Sequence, residues 1–120
     1  MNIEPYLGPP QSLLNWLEVC GKERGKGYWL IFKDSGDNQE ITLQTEMYPI
    51  TGDTGEMSDD EYEEFDASKN KSGFSNFLNL DQLEDILDNL TMQKKNYTDG
   101  ELMEAVDHYF ERDTFITVKS

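Results

Sequence analysis

The chain holds one cysteine, Cys20, and one histidine, His108. A lone cysteine excludes an internal disulfide, and a reducing cytoplasm is the expected setting. A lone histidine leaves little for a metal site, because zinc draws on several Cys and His ligands. A Ser/His/Asp or Cys/His catalytic set would have to be built on His108 alone, and no nucleophile elbow stands out. Long apolar runs are missing too: no stretch approaches the roughly 20 apolar residues that span a bilayer. The start, MNIEPYLGPP, has neither a basic residue nor an apolar run, so a signal peptide is not expected. Basic residues are absent from 34 to 66, a third of the chain that carries twelve acids.

That last absence dominates the electrostatics. Net charge is −15, from 25 acids against 10 bases, yet residues 1–33 sum to +1 and residues 67–120 to only −4. The middle third holds −12. A field of this sign repels nucleic acid and anionic membranes and speeds encounter with basic proteins. Neither nucleic acid nor a membrane is therefore an expected direct partner. The length, 120 residues, suits a single domain over residues 1–120 with one modest core. Hydrophobic residues make up 36% of the chain and are clustered, which argues against wholesale disorder.

What is present reads as an α+β domain, a small antiparallel sheet packed against three to four helices. Ser12 is a candidate N-cap, and Leu13, Leu14, Trp16, Leu17 and Cys20 follow near helical spacing until Gly21. GYWLIFK (27–33) predicts a strand buried on both faces. EITLQTEMY (40–48) alternates and predicts a half-buried strand, joined to the first through the turn run DSGDNQ as a hairpin. Ser58 and Glu61 form an S-x-x-E capping pattern that opens a short acidic helix near 59–68. Tyr62 and Phe65, three apart, are expected on its inner side, and Lys69, Lys71 and Gly73 suit its end. LDQLEDILDNL predicts a strong helix over 81–92, and Thr98 with Glu101 caps another over 99–111. FITV (115–118) reads either as a last strand or as a tail packed on the core. The expected core comprises Leu13, Leu17, Trp29, Ile31, Leu43, Leu83, Ile86, Leu87, Leu102, Val106, Tyr109, Phe110 and Phe115.

Three constellations suggest chemistry and fall short of it. GKERGKG (21–27) has the glycines and lysines of a phosphate loop at the wrong spacing, and it precedes a strand instead of following one. It reads as a basic connector. Glu101, Glu104 and His108 share a helical face, but with no second His and no nearby Cys an exposed, charge-laced face is the better reading. DSGDN (34–38) places its glycine too early for a calcium loop. No cofactor, no metal site and no catalytic residue is therefore expected, and the protein is expected not to be an enzyme.

SDDEYEEFD (58–66) is the remaining feature, with six carboxylates in nine residues and no positive side chain. It reads either as an ordinary solvated helix face or as a surface for a basic partner. The candidate partner-binding residues are Asp59, Asp60, Glu61, Tyr62, Glu63, Glu64 and Asp66, with Tyr62 as the candidate aromatic anchor. Glu40 and Glu46, on the polar side of the second predicted strand, are secondary candidates.

The C-terminal half resembles a family of small bacterial proteins. The resemblance rests on Asn89, Leu90 and Gln93, a capped acidic helix, the aromatic pair Tyr109 and Phe110, and the closing Asp113, Phe115 and Ile116. LLNWLE and GYWLIF are similar in kind to that family's N-terminal half, whereas the acidic middle lies outside the resemblance. Proteins of this look occur as immunity proteins of contact-dependent growth inhibition systems. The resemblance implies a cytoplasmic protein that meets a cognate toxin domain, basic and nuclease-type, and neutralises it by stoichiometric occlusion. Three other readings stay open: an acidic nucleic-acid mimic that inhibits a DNA- or RNA-binding enzyme, a small enzyme of unknown type, and a subunit that folds as part of a larger assembly. A mimic is expected to space its acids regularly over a long surface, whereas these bunch in one third of the chain.

Overall fold

The computed structural model describes residues 2–20, 28–33, 41–52 and 54–117. The basic connector at 21–27, the turn run at 34–39, Glu40 and Val118 lie outside the described residues. A short 3-10 turn, Glu4–Tyr6, precedes β1 (Gln11–Ser12) and α1 (Leu13–Val19). Then come β2 (Trp29–Lys33), β3 (Glu46–Pro49), α2 (Asp59–Lys71), β4 (Phe74–Asn79), α3 (Leu80–Gln93) and α4 (Asp99–Arg112). This is an α+β architecture.

Each helix starts where a short polar side chain satisfies a backbone N–H that has no partner within the helix. Ser12 Oγ accepts from the Asn15 N–H at 3.2 Å and Ser58 Oγ from the Glu61 N–H at 3.2 Å. Two helices carry the full reciprocal capping box. Thr98 Oγ1 accepts from the Glu101 N–H, and Glu101 Oε1 accepts from the Thr98 N–H. Asn79 and Gln82 do the same for α3, at 2.8 and 2.9 Å.

The strands form one antiparallel sheet in the order β1-β3-β2-β4. Ile31 pairs with Tyr48 on one side and with Asn76 on the other. Leu30, Ile31 and Phe32 are all buried, so β2 is covered on both faces, as its unbroken apolar run predicts. Leu30, Phe32 and Met47 belong to the main core with Leu13, Trp16 and Leu17 of α1, Leu83, Ile86 and Leu90 of α3, and Leu102 and Val106 of α4. Ile31 belongs to a second, smaller core with Ile3, Phe65 and Phe74. Period-two alternation along β2 thus divides the interior into a large core under three helices and a small one under α2 and the N-terminal turn.

Several sequence expectations need correction. Residues 41–45 are not strand. Thr42 and Thr45 close a local turn instead: Thr45 Oγ1 accepts from the Thr42 N–H at 2.8 Å, and Thr42 O accepts from the Thr45 N–H at 3.0 Å. Hydroxyls that bond nearby backbone offer an alternative to a sheet ladder. Residues 114–117 add no strand either. The fourth strand is β4, whose Ser75, Asn76 and Asn79 dilute the apolar signal. The pairing slips by one residue between Trp29–Asn79 and Ile31–Asn76, and Phe77 and Leu78, which lie within that irregularity opposite Leu30, both join the main core. Trp29 and Phe115, expected inside, are 50% and 44% exposed. Phe115 follows Asp113, which turns the chain out of α4 at φ 56°, and rests against the Tyr109 ring 5.3 Å away. Leu43, Leu87, Tyr109 and Phe110 are partly buried against the main core.

The residues that carry the family resemblance tie the tail to α3. Gln93 donates to Asn89 Oδ1 at 2.7 Å and to the Ile116 carbonyl at 2.8 Å, while Leu90 is buried and Ile116 packs on the main core. Their contacts are structural.

Candidate functional site

The acidic stretch is the start of α2. Asp59, Asp60 and Glu61 fill the first turn, where carboxylates favour the positive end of the helix dipole. Glu61 also accepts the Ser58 hydroxyl at 3.1 Å. Residues 59–64 are all exposed, and Asp66 is half-buried. Only Phe65 and Lys69 of this helix are buried, four apart on one face. Phe65 fills the small core, its ring 5.4 Å from that of Tyr6 in an edge-to-face contact.

Tyr62 was expected beside Phe65 on the inner side, and the structure separates them. Phe65 is 1% exposed and Tyr62 50%. The Tyr62 ring is tilted against that of Phe65, 6.2 Å centroid to centroid, and lines a cavity of about 390 Å³. Trp29 lines the same cavity from the sheet. Trp29 shares its face of β2 with Ile31, two residues away. Phe65 of α2 packs over Ile31, while the space beside Trp29 stays open. Gly52 helps shape the far wall. A Cβ at Gly52 would fall 2.8 Å from Tyr6 Cα, so only glycine lets this loop lie against the N-terminal turn, where Tyr6 O accepts from the Thr51 and Gly52 N–H groups.

The cavity also contains Lys69, which sequence reasoning placed at the helix end and did not count as a site residue. It is 2% exposed. Its ammonium donates to Asp66 Oδ1 at 2.7 Å and to Asn76 Oδ1 at 2.5 Å, which satisfies the requirement that a buried charge be paired. The spacing 62, 65, 66, 69 traces one helical stripe, and that periodicity is the signal that would have revealed Lys69.

The secondary candidates do not join this cavity. Glu46 is exposed on β3 and lines a separate recess with Lys33 and Tyr48. Lys33 lies over the Tyr48 and Phe74 rings, 6.0 and 5.8 Å from their centroids. Glu40 lies outside the described residues. On α4, His108 Nε2 sits 3.3 Å from the Thr114 hydroxyl, and Glu101 is engaged by the Lys94 ammonium at 3.0 Å through both carboxylate oxygens. Those bonds, with the Thr98 N–H, hold the Glu101 carboxyl below its ordinary range. Among the described residues no group of three or more His, Cys, Asp or Glu is arranged to hold a metal ion, and no helix is long and apolar enough to cross a membrane.

A family profile described as a domain of unknown function, DUF7716, matches residues 14–118. The chain belongs to that family. No curated protein and no solved structure matches it. The match takes in α1 from its second residue, α2, α3 and α4, the cavity and most of both cores; Leu13 of the main core and Ile3 of the small one precede it.

Proposed function

We propose that this protein is a cytoplasmic immunity-type protein that binds a basic cognate toxin domain, of nuclease type, and neutralises it by stoichiometric occlusion. The observation that carries this reading is Tyr62. A half-exposed tyrosine sits among the exposed carboxylates of α2 and borders a cavity shared with a half-exposed tryptophan. One exposed aromatic on a solvated face is ordinary, but two that border one cavity beside a cluster of carboxylates match protein interfaces, which concentrate Tyr and Trp in their centres and charge at their rims. The carboxylates supply steering and specificity toward a basic surface, and the aromatics supply the buried contact. No chemistry by this chain is invoked. The acids gather on the first two turns of one helix, which suits a local interface better than mimicry of a long phosphate backbone.

The test is capture of the neighbouring gene product, co-expressed with tagged protein at several salt concentrations. Capture of one basic protein at low salt, lost when Asp59, Asp60, Glu61, Glu63 and Glu64 are changed to Ser, is the expected result. Capture indifferent to those changes would move the interface off α2, and no capture at any salt would remove the reading's main support.

A further inference from the structure

The cavity beside α2 has a composition that narrows what enters it. Its aromatic surfaces, Trp29 and Tyr62, come from two different elements. Its polar lining includes Thr51, Thr54 and Asn76, all able to accept a hydrogen bond. Asp59 and Asp66 lie one turn before and one turn after Tyr62 on the same side of α2. Lys69, the one cation in its lining among the described residues, is held against Asp66 at 2.7 Å, so its charge is largely cancelled locally. An anionic ligand would have to pass the six carboxylates of 59–66. A purely apolar group would cover the polar atoms of Thr51, Thr54 and Asn76 without bonding to them. A cation with a flat, weakly hydrated face meets neither objection: it stacks on aromatic rings and donates to acceptors in its own plane.

We infer that the cavity receives an arginine side chain of the basic partner, its guanidinium stacked on Trp29 and Tyr62, donating to the neutral acceptors of the lining and flanked by the exposed carboxylates of α2. This rests on the reading of α2 as a surface for a basic protein, and it adds a specific anchor to what is otherwise general charge attraction. Arginine is preferred to lysine because the ammonium is a compact, strongly hydrated point charge that neither stacks nor forms a planar fork.

The experiment uses three blocked pentapeptides, Gly-Lys-Arg-Lys-Gly and its counterparts with lysine or citrulline at the centre, titrated into the ¹⁵N-labelled protein at constant ionic strength. The protein's two tryptophans give an internal control. Trp16 is 4% exposed and its indole N–H donates to the Met47 carbonyl at 3.0 Å, whereas Trp29 is 50% exposed in the cavity. The arginine peptide is expected to bind at least about fivefold more tightly than the lysine peptide and to shift the Trp29 indole while leaving Trp16 still. Tyr62→Ala, at a half-exposed position, is expected to erase that preference with Trp16 unmoved, which shows the fold intact. Equal binding of the arginine and lysine peptides, with shifts confined to amides 59–64 and Trp29 unmoved, would overturn the arginine anchor and leave the acidic interface standing. Shifts nowhere along 59–66 with any peptide would overturn both.

Discussion

Phe65→Ala separates two ways in which α2 could be held. Phe65 is 1% exposed and is the only apolar residue of α2 in the small core. Truncating a buried phenylalanine and leaving the cavity in place costs about 3–5 kcal/mol. Burial of that side chain is worth only about 2–3 kcal/mol, and α2 has little else to hold it, since Lys69 is its one other buried residue. Release of the helix is therefore no more costly than keeping it docked over a void. Once released, a 13-residue helix crowded with acids is marginal on its own. The main core, built on α1, α3 and α4, does not include Phe65. The expected outcome is local: hydrogen exchange of amides in 60–71 accelerates toward unprotected rates, while α3 and α4 keep their protection. The global stability loss should stay near about 2–3 kcal/mol, because the void never forms. Partner capture should fail although every carboxylate remains in the chain. A uniform loss of protection across α2, α3 and α4, or a stability loss at the full cavity value with α2 still protected, would refute the argument that α2 hangs on one side chain.

Four further outcomes follow from single sites. Lys69→Met keeps the packed stem and removes the buried charge; Asp66, 45% exposed, can then be solvated, so denaturant stability should change by no more than about 1 kcal/mol. A loss above about 3 kcal/mol would mean that the ammonium itself holds α2 to β4. Glu101 has a depressed carboxyl value, so its contribution is present above the ordinary 4.5 and is lost as pH falls through the depressed value. The melting-temperature gap between wild type and Glu101→Gln should therefore be widest near neutral pH and close in acid. Asp113 holds φ 56° at the end of α4, and Asp113→Gly should raise stability by up to about 1 kcal/mol in urea unfolding. Gly52→Ala drives a methyl to 2.8 Å from Tyr6 Cα and 2.6 Å from its ring, and should lower the melting temperature and loosen the cavity wall, seen as a shifted Trp29 indole.

Legibility in the sequence followed the range of the interactions involved. Ser58, Thr98 and Ser12 act three residues away, so their capping partners can be read directly from the chain. Of the α3 stripe, Leu80, Leu83, Ile86 and Leu90 are buried, and Leu87 only partly so. The α3 cap is equally local, but Asn79 with Gln82 departs from the Ser or Thr with Glu pattern that marks a capping box most plainly. Residues 41–45 misled because alternation of apolar and polar residues is shared by a strand and by a threonine-closed turn. Trp29 misled for a different reason. Large aromatics in a strand are usually covered, and what leaves this one open is where α2 lies, which no local pattern records.

By itself the sequence determined the α+β class, three of the helix starts, the doubly buried β2 and the concentration of negative charge at 58–66. These depend on spacing and side-chain chemistry within a few residues. Only the tertiary structure decided that Tyr62 faces out while Phe65 faces in, that Lys69 is buried against Asp66 and Asn76, and that Trp29 borders the same cavity as Tyr62. Trp29 and Tyr62 are 33 positions apart in the chain, and α2 is seated over β2 by a small core drawn from five separate segments. Such a juxtaposition is set by which faces pack together, and helical or strand periodicity carries no information about that.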